Sequence, residues 1–364
     1  MKTMIKANQG KLIAIICLGV IWALAAVLRG WTAGMDFLVT YITAPLRQGI
    51  AWICSFLPFS AAELIWAVTI LGGIIFVVKS IVELVKARGR RAAVAVRKAL
   101  VCVVFLLAWA VGFTVLLGAQ FYTTPFEEKA GLKAQEISVQ QLADTMQYFA
   151  DKLNETALLV PRDKNGVFAA KKADIIAQSM DIYDALEQQY PFLAAPHYRP
   201  KSLFTSRLFS YIDFTGFYFP FTGEANVNTD APACLLPATI AHEQAHQHSI
   251  SPEQTCNLLA VLACVTSGNS LYEYSGYLMG YIHLSNALIT ADTDTWRTVA
   301  GSLCSEVNAD LADNNAYWKQ FDTPVQSVSN AAYDKFLKGY DQALGMKSYG
   351  AVVDLLVAYY KDII

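Results

Sequence analysis

Hydrophobic and polar positions fall into two textures along this chain. Residues 12–28 (LIAIICLGVIWALAAVL), about 64–82 and about 99–117 are almost continuous apolar runs, and the third belongs to a charge-free stretch that continues to Phe126. Crossing a bilayer takes roughly 20 apolar residues in a helix, so each run predicts a membrane span. Lys79 lies near enough to the end of the second run to extend its amine to the interface. Between the first two runs, FLVTYITAPLRQGIAWICSFLPFSAA is apolar but interrupted by Pro45 and Pro58, which predicts an interfacial or re-entrant hairpin rather than further spans.

Beyond residue 120 the pattern becomes amphipathic. From about Gln135 to Tyr190 the apolar spacing is helical, with a polar break at PRDKNG. Residues 208–236 are aromatic and rich in turn formers, and predict one or two strands or extended loops. Helical spacing then returns over about Pro237–Gln247, Pro252–Ser267 and Leu271–Leu288, followed by a mixed helical region closing in GMKSYGAVVDLLVAYYKDII. The predicted fold is mostly α, with three N-terminal transmembrane helices, a small extended region, and a mainly helical second domain. The boundary falls near residue 120, giving a membrane anchor over 1–120 and a second domain over 121–364.

Charge sets the orientation. Lys2, Lys6 and Lys11 precede the first run, and Arg88, Arg90, Arg91, Arg97 and Lys98 separate the second from the third. The positive-inside rule places both segments in the cytoplasm, so three crossings leave the second domain outside it. Residues 1–120 hold 12 Lys/Arg against 3 Asp/Glu and the remainder 16 against 27, so the second domain is acidic and a nucleic-acid partner is not expected. Ala23-Leu24-Ala25 resembles a signal-peptide cleavage site, but the length of the run favours a retained anchor. The seven cysteines form no CxxC pair, so packing roles are expected for them. The spans carry no buried ionisable residues suited to a translocation path, which disfavours a transporter.

Candidate chemistry concentrates in IAHEQAHQHSISPEQTCN, residues 240–257, which hold three of the five histidines. His242 and His246 are four apart, so on a helix both imidazoles leave one face and can hold a zinc ion, while Glu243 stands beside an activated water as general base. A chain of this composition would contain His-Glu-x-x-His by chance about 0.002 times. The competing reading is a surface helix that merely carries these residues.

A third ligand is also needed. Glu253 is the nearest downstream carboxylate, but Ser251-Pro252-Glu253-Gln254 also reads as a capped helix start, so ligand and cap both remain open for it. Glu273, His248 and Glu224 are further candidates. His248 lies about 200° around the helix from His246 and suits a helix C-terminus. His197 and His283 read as lone structural or surface residues. The aromatic segment before the motif offers a strand edge for a substrate backbone, or simply a core strand.

GFYFPFTGEANVN, LLPATIAHEQAHQ, Asn257, YSGYLMGYIHLSNAL and SYGAVVDLLVAYY, together with the three N-terminal runs, resemble a bacterial membrane-protein family catalogued as domain of unknown function 3810. The resemblance covers nearly the whole chain. It implies a multi-pass protein of the bacterial cell membrane with a zincin-like extracytoplasmic domain, a zinc cofactor, and a peptide or protein substrate. His242 and His246 match its metal-ligand histidines, Glu243 its catalytic glutamate, and Glu224 and Asn226 its GEAN segment. With Asn257 these last two are candidates for substrate contact or for supporting the ligands. Two departures stand out: Ser249 where the pattern has a turn glycine, and Thr255 where it has a glutamate. Either Glu253 substitutes, or another group does, or this chain is an inactive membrane receptor or scaffold that retains the fold.

Overall fold

A computed structural model describes residues 6–132, 136–342 and 348–364. The chain divides into two units, residues 1–50, 61–123 and 220–222 in the first and 51–60, 124–219 and 223–364 in the second.

In the first unit, α1 (Gln9–Leu28), α4 (Ala61–Lys86) and α5 (Arg91–Leu116) are long and apolar enough to cross a membrane. Their side chains bury little against one another: Val27, Leu71 and Leu106 remain 77%, 59% and 65% exposed, a surface that suits lipid. The segment expected to be a proline-broken hairpin is instead helical through Pro45. It runs as α2 (Thr32–Leu38), a π-turn over Val39–Thr43 and α3 (Ala44–Ser55). Pro45 lies just after the π-turn, and the helical run continues through it although it can donate no backbone hydrogen bond. Only Pro58, in a bend after α3, interrupts the chain as expected.

The second unit is a helical body with one small sheet. Its helices are α6 (Phe126–Lys129), α7 (Val139–Ala157), α8 (Lys172–Ala177), α9 (Asp184–Gln189), α10 (Ser206–Tyr211), α11 (Leu236–Gln247), α12 (Glu253–Thr266), α13 (Ser270–Ala291), α14 (Thr293–Ala300), α15 (Ser305–Lys319), α16 (Pro324–Gly339) and α17 (Ser348–Tyr360). Strands β1 (Lys201–Ser202), β2 (Gly216–Phe219) and β3 (Glu224–Val227) form a sheet in the order β1-β3-β2, with β1 parallel and β2 antiparallel to β3.

At the centre lies α12, whose residues Leu258 to Cys264 have no solvent exposure at all. A helix apolar all round must be surrounded, and α11, α13 and α17 pack on it. Ser138 and Gln141 close a capping box that starts α7. Its residues Leu142, Met146, Phe149 and Leu153 then bury one face against α13. The close approach requires Gly280, because a Cβ there would collide with the Phe149 ring.

The helical pattern expected to reach Tyr190 is broken between α8 and α9. The break leaves the Ser179 carbonyl to accept from Gln244 Nε2 at 3.1 Å and lets Tyr183 donate to the Ala241 carbonyl at 2.7 Å, tying this segment to α11. The PRDKNG turn follows expectation: Asp163 accepts from the Asn165 and Val167 amides, Gly166 takes φ +79°, and Arg162 pairs with the fully buried Asp310 at 2.9 Å.

Gly280→Ala tests the α7–α13 contact. Overpacking a close helix contact destabilises by about 1–3 kcal/mol, so the variant should unfold several degrees below the parent in a detergent thermal melt. An unchanged midpoint would mean the two helices can part without penalty.

Candidate metal centre

Helix α11 begins with Pro237 in its first turn, where a proline fits, and is buried along most of its length. His242 and His246 leave one face. One ring nitrogen of each and a carboxylate oxygen of Glu253 all lie within 4.8 Å of one another. Glu253 Oε2 is 3.1 Å from His242 Nε2, and Glu253 Oε1 is 4.0 Å from His246 Nε2. Ligands around a tetrahedral zinc stand about 3.3 Å apart, so these separations bracket the fit.

The opposite nitrogens fix the rings. His246 Nδ1 lies 2.8 Å from the Ile250 carbonyl, which can only accept, so the proton sits on Nδ1 and Nε2 presents its lone pair toward Glu253. His242 Nδ1 lies 2.8 Å from Asn257 Oδ1, supplied by the next turn of α12. An outer hydrogen bond of this kind is what holds a metal-binding imidazole in one tautomer and orientation.

The turn after α11 makes the His246 contact possible. The Ser249 amide bonds the His246 carbonyl, the Ile250 amide bonds the Ala245 carbonyl, and Ser249 takes φ +70°. This is the pairing of a Schellman motif, whose left-handed position glycine usually fills. The serine that departs from the expected pattern therefore adopts the glycine's conformation without one.

The alternative roles of Glu253 are now separable. Helix α12 has Pro252 as its N-cap, with no side-chain capping bond, where the sequence suggested Ser251. The Glu253 carboxylate instead meets the two histidines and accepts from Tyr333 Oη at 2.6 Å, a partner from α16 that no spacing rule in the sequence indicated. Thr255 turns its hydroxyl to Glu127. Burial works against the Glu253 charge, but the His242 hydrogen bond and both imidazoles hold its pKa down to about 2. Burial likewise opposes the His242 charge, and Glu253 raises its pKa against that effect.

Glu243 is buried to 4% exposure. Burial pushes its carboxyl up to about 8, with His242 pulling it down and the Glu253 charge raising it further. Its Oε2 is buried without a hydrogen-bond partner. A buried carboxylate oxygen left so is unfavourable by several kcal/mol, on the order of 1–3 or more. Two imidazoles, one carboxylate and an orphaned second carboxylate beside them fit a zinc-class ion. Glu243 also has a neighbour that only the structure reveals. At Gly216 in β2, a Cβ would stand 2.7 Å from Glu243 Oε1 and 2.9 Å from the Asn226 carbonyl, so this glycine lets the strand pass against the acid.

Asn226 Oδ1 accepts from Ser60 at 2.6 Å, while its carbonyl lies beside Gly216 on the side of Glu243. Glu224 acts electrostatically on Cys54 and Lys201. Neither Glu224 nor Glu273 is in the group formed by His242, His246 and Glu253. His248 caps α11, as its position suggested, and faces Glu187 together with His197, so His197 is not the lone residue that the sequence indicated.

A family model described as Protein of unknown function (DUF3810) matches residues 39–357. No curated protein and no solved structure matches the chain.

Asn257→Ala removes the outer contact to His242 while leaving all three facing groups in place. Losing such a contact weakens metal binding by about 10–100-fold, readable by competition against a chromophoric zinc chelator. Affinity equal to that of the parent would show that Asn257 does not orient the ring.

Proposed function

The chain belongs to the DUF3810 family, whose description assigns no function, and we propose for it a membrane-anchored, zinc-dependent peptidase. The observation carrying this reading is the convergence of His242, His246 and Glu253 with the buried carboxyl of Glu243 beside them. His242, His246 and Glu253 would hold the ion. When bound, zinc supplies Lewis acidity that makes water a nucleophile near neutral pH and polarises a carbonyl.

The chain's own groups do the rest. Asn257 and the Ile250 carbonyl keep both imidazoles turned so that Nε2 faces inward. Tyr333 holds one Glu253 oxygen. Glu243, anionic once a dication lies beside it, takes a proton from the attacking water at a carboxylate oxygen and passes it to the departing amine. Its burial keeps bulk water away from that transfer. Strand β2 ends the strand order and runs past Glu243 at Gly216, where an extended peptide backbone would lie parallel to the sheet. This supports a peptide substrate.

The three apolar helices are the membrane anchor in this proposal. The basic residues before α1 and between α4 and α5 orient it so that the metal-bearing unit faces away from the cytoplasm.

Glu243→Gln separates catalysis from metal binding. Peptide hydrolysis by the purified full chain should fall by at least about 100-fold, the scale of a lost general base, with zinc content unchanged. His246→Ala should lose the activity and the zinc equivalent held at this centre. A Glu243→Gln protein that hydrolyses peptides at the parental rate would overturn the mechanism, and a parent that retains zinc without turnover on any peptide library would favour a receptor or scaffold.

A carboxy-terminal alkaline phosphatase fusion, active only outside the cytoplasm, should give activity in intact cells. An inactive phosphatase paired with a fluorescent cytoplasmic reporter at the same position would reverse the orientation.

A further inference from the structure

We propose a second divalent-metal site, formed by His197, His248 and Glu187. It is a separate group from the one described above, and its ligand atoms also lie within 4.8 Å of one another. Glu187 comes from α9, His197 from the segment after it, and His248 from the C-terminal cap of α11.

The placement of His248 carries the inference. Its Nδ1 lies 2.8 Å from the Gln244 carbonyl, an acceptor only, so the ring proton of a neutral imidazole sits there. Its Nε2 lone pair is then aimed at Glu187 Oε1, 3.0 Å away. Donor atoms of a histidine and a carboxylate at this spacing are placed as neighbouring ligands of one small cation would be. His197 Nε2 is 2.8 Å from the same Glu187 oxygen, and its Nδ1 stands 3.6 Å from Asp184 Oδ1, beyond hydrogen-bond distance.

The rest of the site is built as firmly. Tyr183 stacks on the His248 ring with centroids 4.2 Å apart, and the Ala195 amide donates to Glu187 Oε1 at 3.3 Å. Two imidazoles and one carboxylate select a borderline-soft ion of the zinc class over magnesium or calcium. The consequence is mechanical: an ion here fastens the loop after α9 to the end of the helix that carries His242 and His246.

Metal stoichiometry decides the matter. The full chain, purified in detergent and equilibrated with zinc, then dialysed against metal-free buffer, should retain two equivalents by elemental analysis. His197→Ala should retain one, His246→Ala one, and the double variant none. His197→Gln, which keeps most of the side-chain volume, should behave like His197→Ala and guards against a folding artefact, with an unchanged far-ultraviolet spectrum as the check. Retention of the parental zinc count by both His197 variants would overturn the second site and leave the first untouched. A parent holding one equivalent that His197→Ala removes and His246→Ala does not would support the second site while defeating the proposed peptidase centre.

Discussion

Everything at the candidate centre follows from burying an acid at the first turn of the most enclosed helix in the second unit. Glu253 opens α12 at 5% exposure, and α12 cannot shift outward because its next three turns are encased. An isolated carboxylate in such a place is strongly unfavourable, and removing one partner of a buried ion pair destabilises by roughly 3–5 kcal/mol. The imidazoles of α11 and the Tyr333 hydroxyl are therefore structural requirements of α12 as well as candidate chemistry. A second acid, Glu243, sits close enough to feel the Glu253 charge. Two carboxylates against two imidazoles make a group that a dication balances better than protons do, because one ion can meet all the inward-facing lone pairs together.

The turn at the end of α11 shows how local backbone chemistry sets this geometry. Three successive features depend on it: the helix stops, the Ile250 carbonyl swings back to His246, and His248 leaves toward Glu187. A left-handed residue is needed for the chain to reverse, and a non-glycine there is strained by about 1–2 kcal/mol. Ser249 bears that strain. Its retention of the turn geometry explains why the absence of the expected glycine leaves the histidines correctly aimed.

The three long apolar helices, the motif helix and the central helices were legible because each rests on a local rule, apolar length or 3.6-residue spacing. His242, Glu243 and His246 were legible for the same reason. Glu253 was only half legible: its position after Ser251-Pro252 satisfies a capping rule equally well, and the choice depends on where α16 brings Tyr333, some 80 residues later. The pairing of His197 with His248 could not be read at all, since it requires the helix break at residues 178–183 that turns α9 back toward α11. Gly216 was hidden likewise, because its role is defined by the Glu243 side chain against a strand and by no pattern along the chain. Pro45 misled in the other direction, as the helical run continues through the residue that the sequence marked as a break.

Both histidine clusters draw on the same helix end, and this constrains how either can behave. His246 and His248 are two residues apart, pointing to different partners, with the Gln244 and Ile250 carbonyls holding their Nδ1 atoms. A rotation of the α11 terminus that improved one set of contacts would withdraw a ring from the other. The arrangement is therefore rigid only while both carboxylates, Glu187 and Glu253, hold their histidines from opposite sides. Tyr183 reinforces this from beneath, stacking on His248 while its hydroxyl bonds the Ala241 carbonyl one residue before His242. Mobility in the loop carrying His197 would then reach the His242 and His246 centre through a single short helix end, without any change in the residues that face the ion.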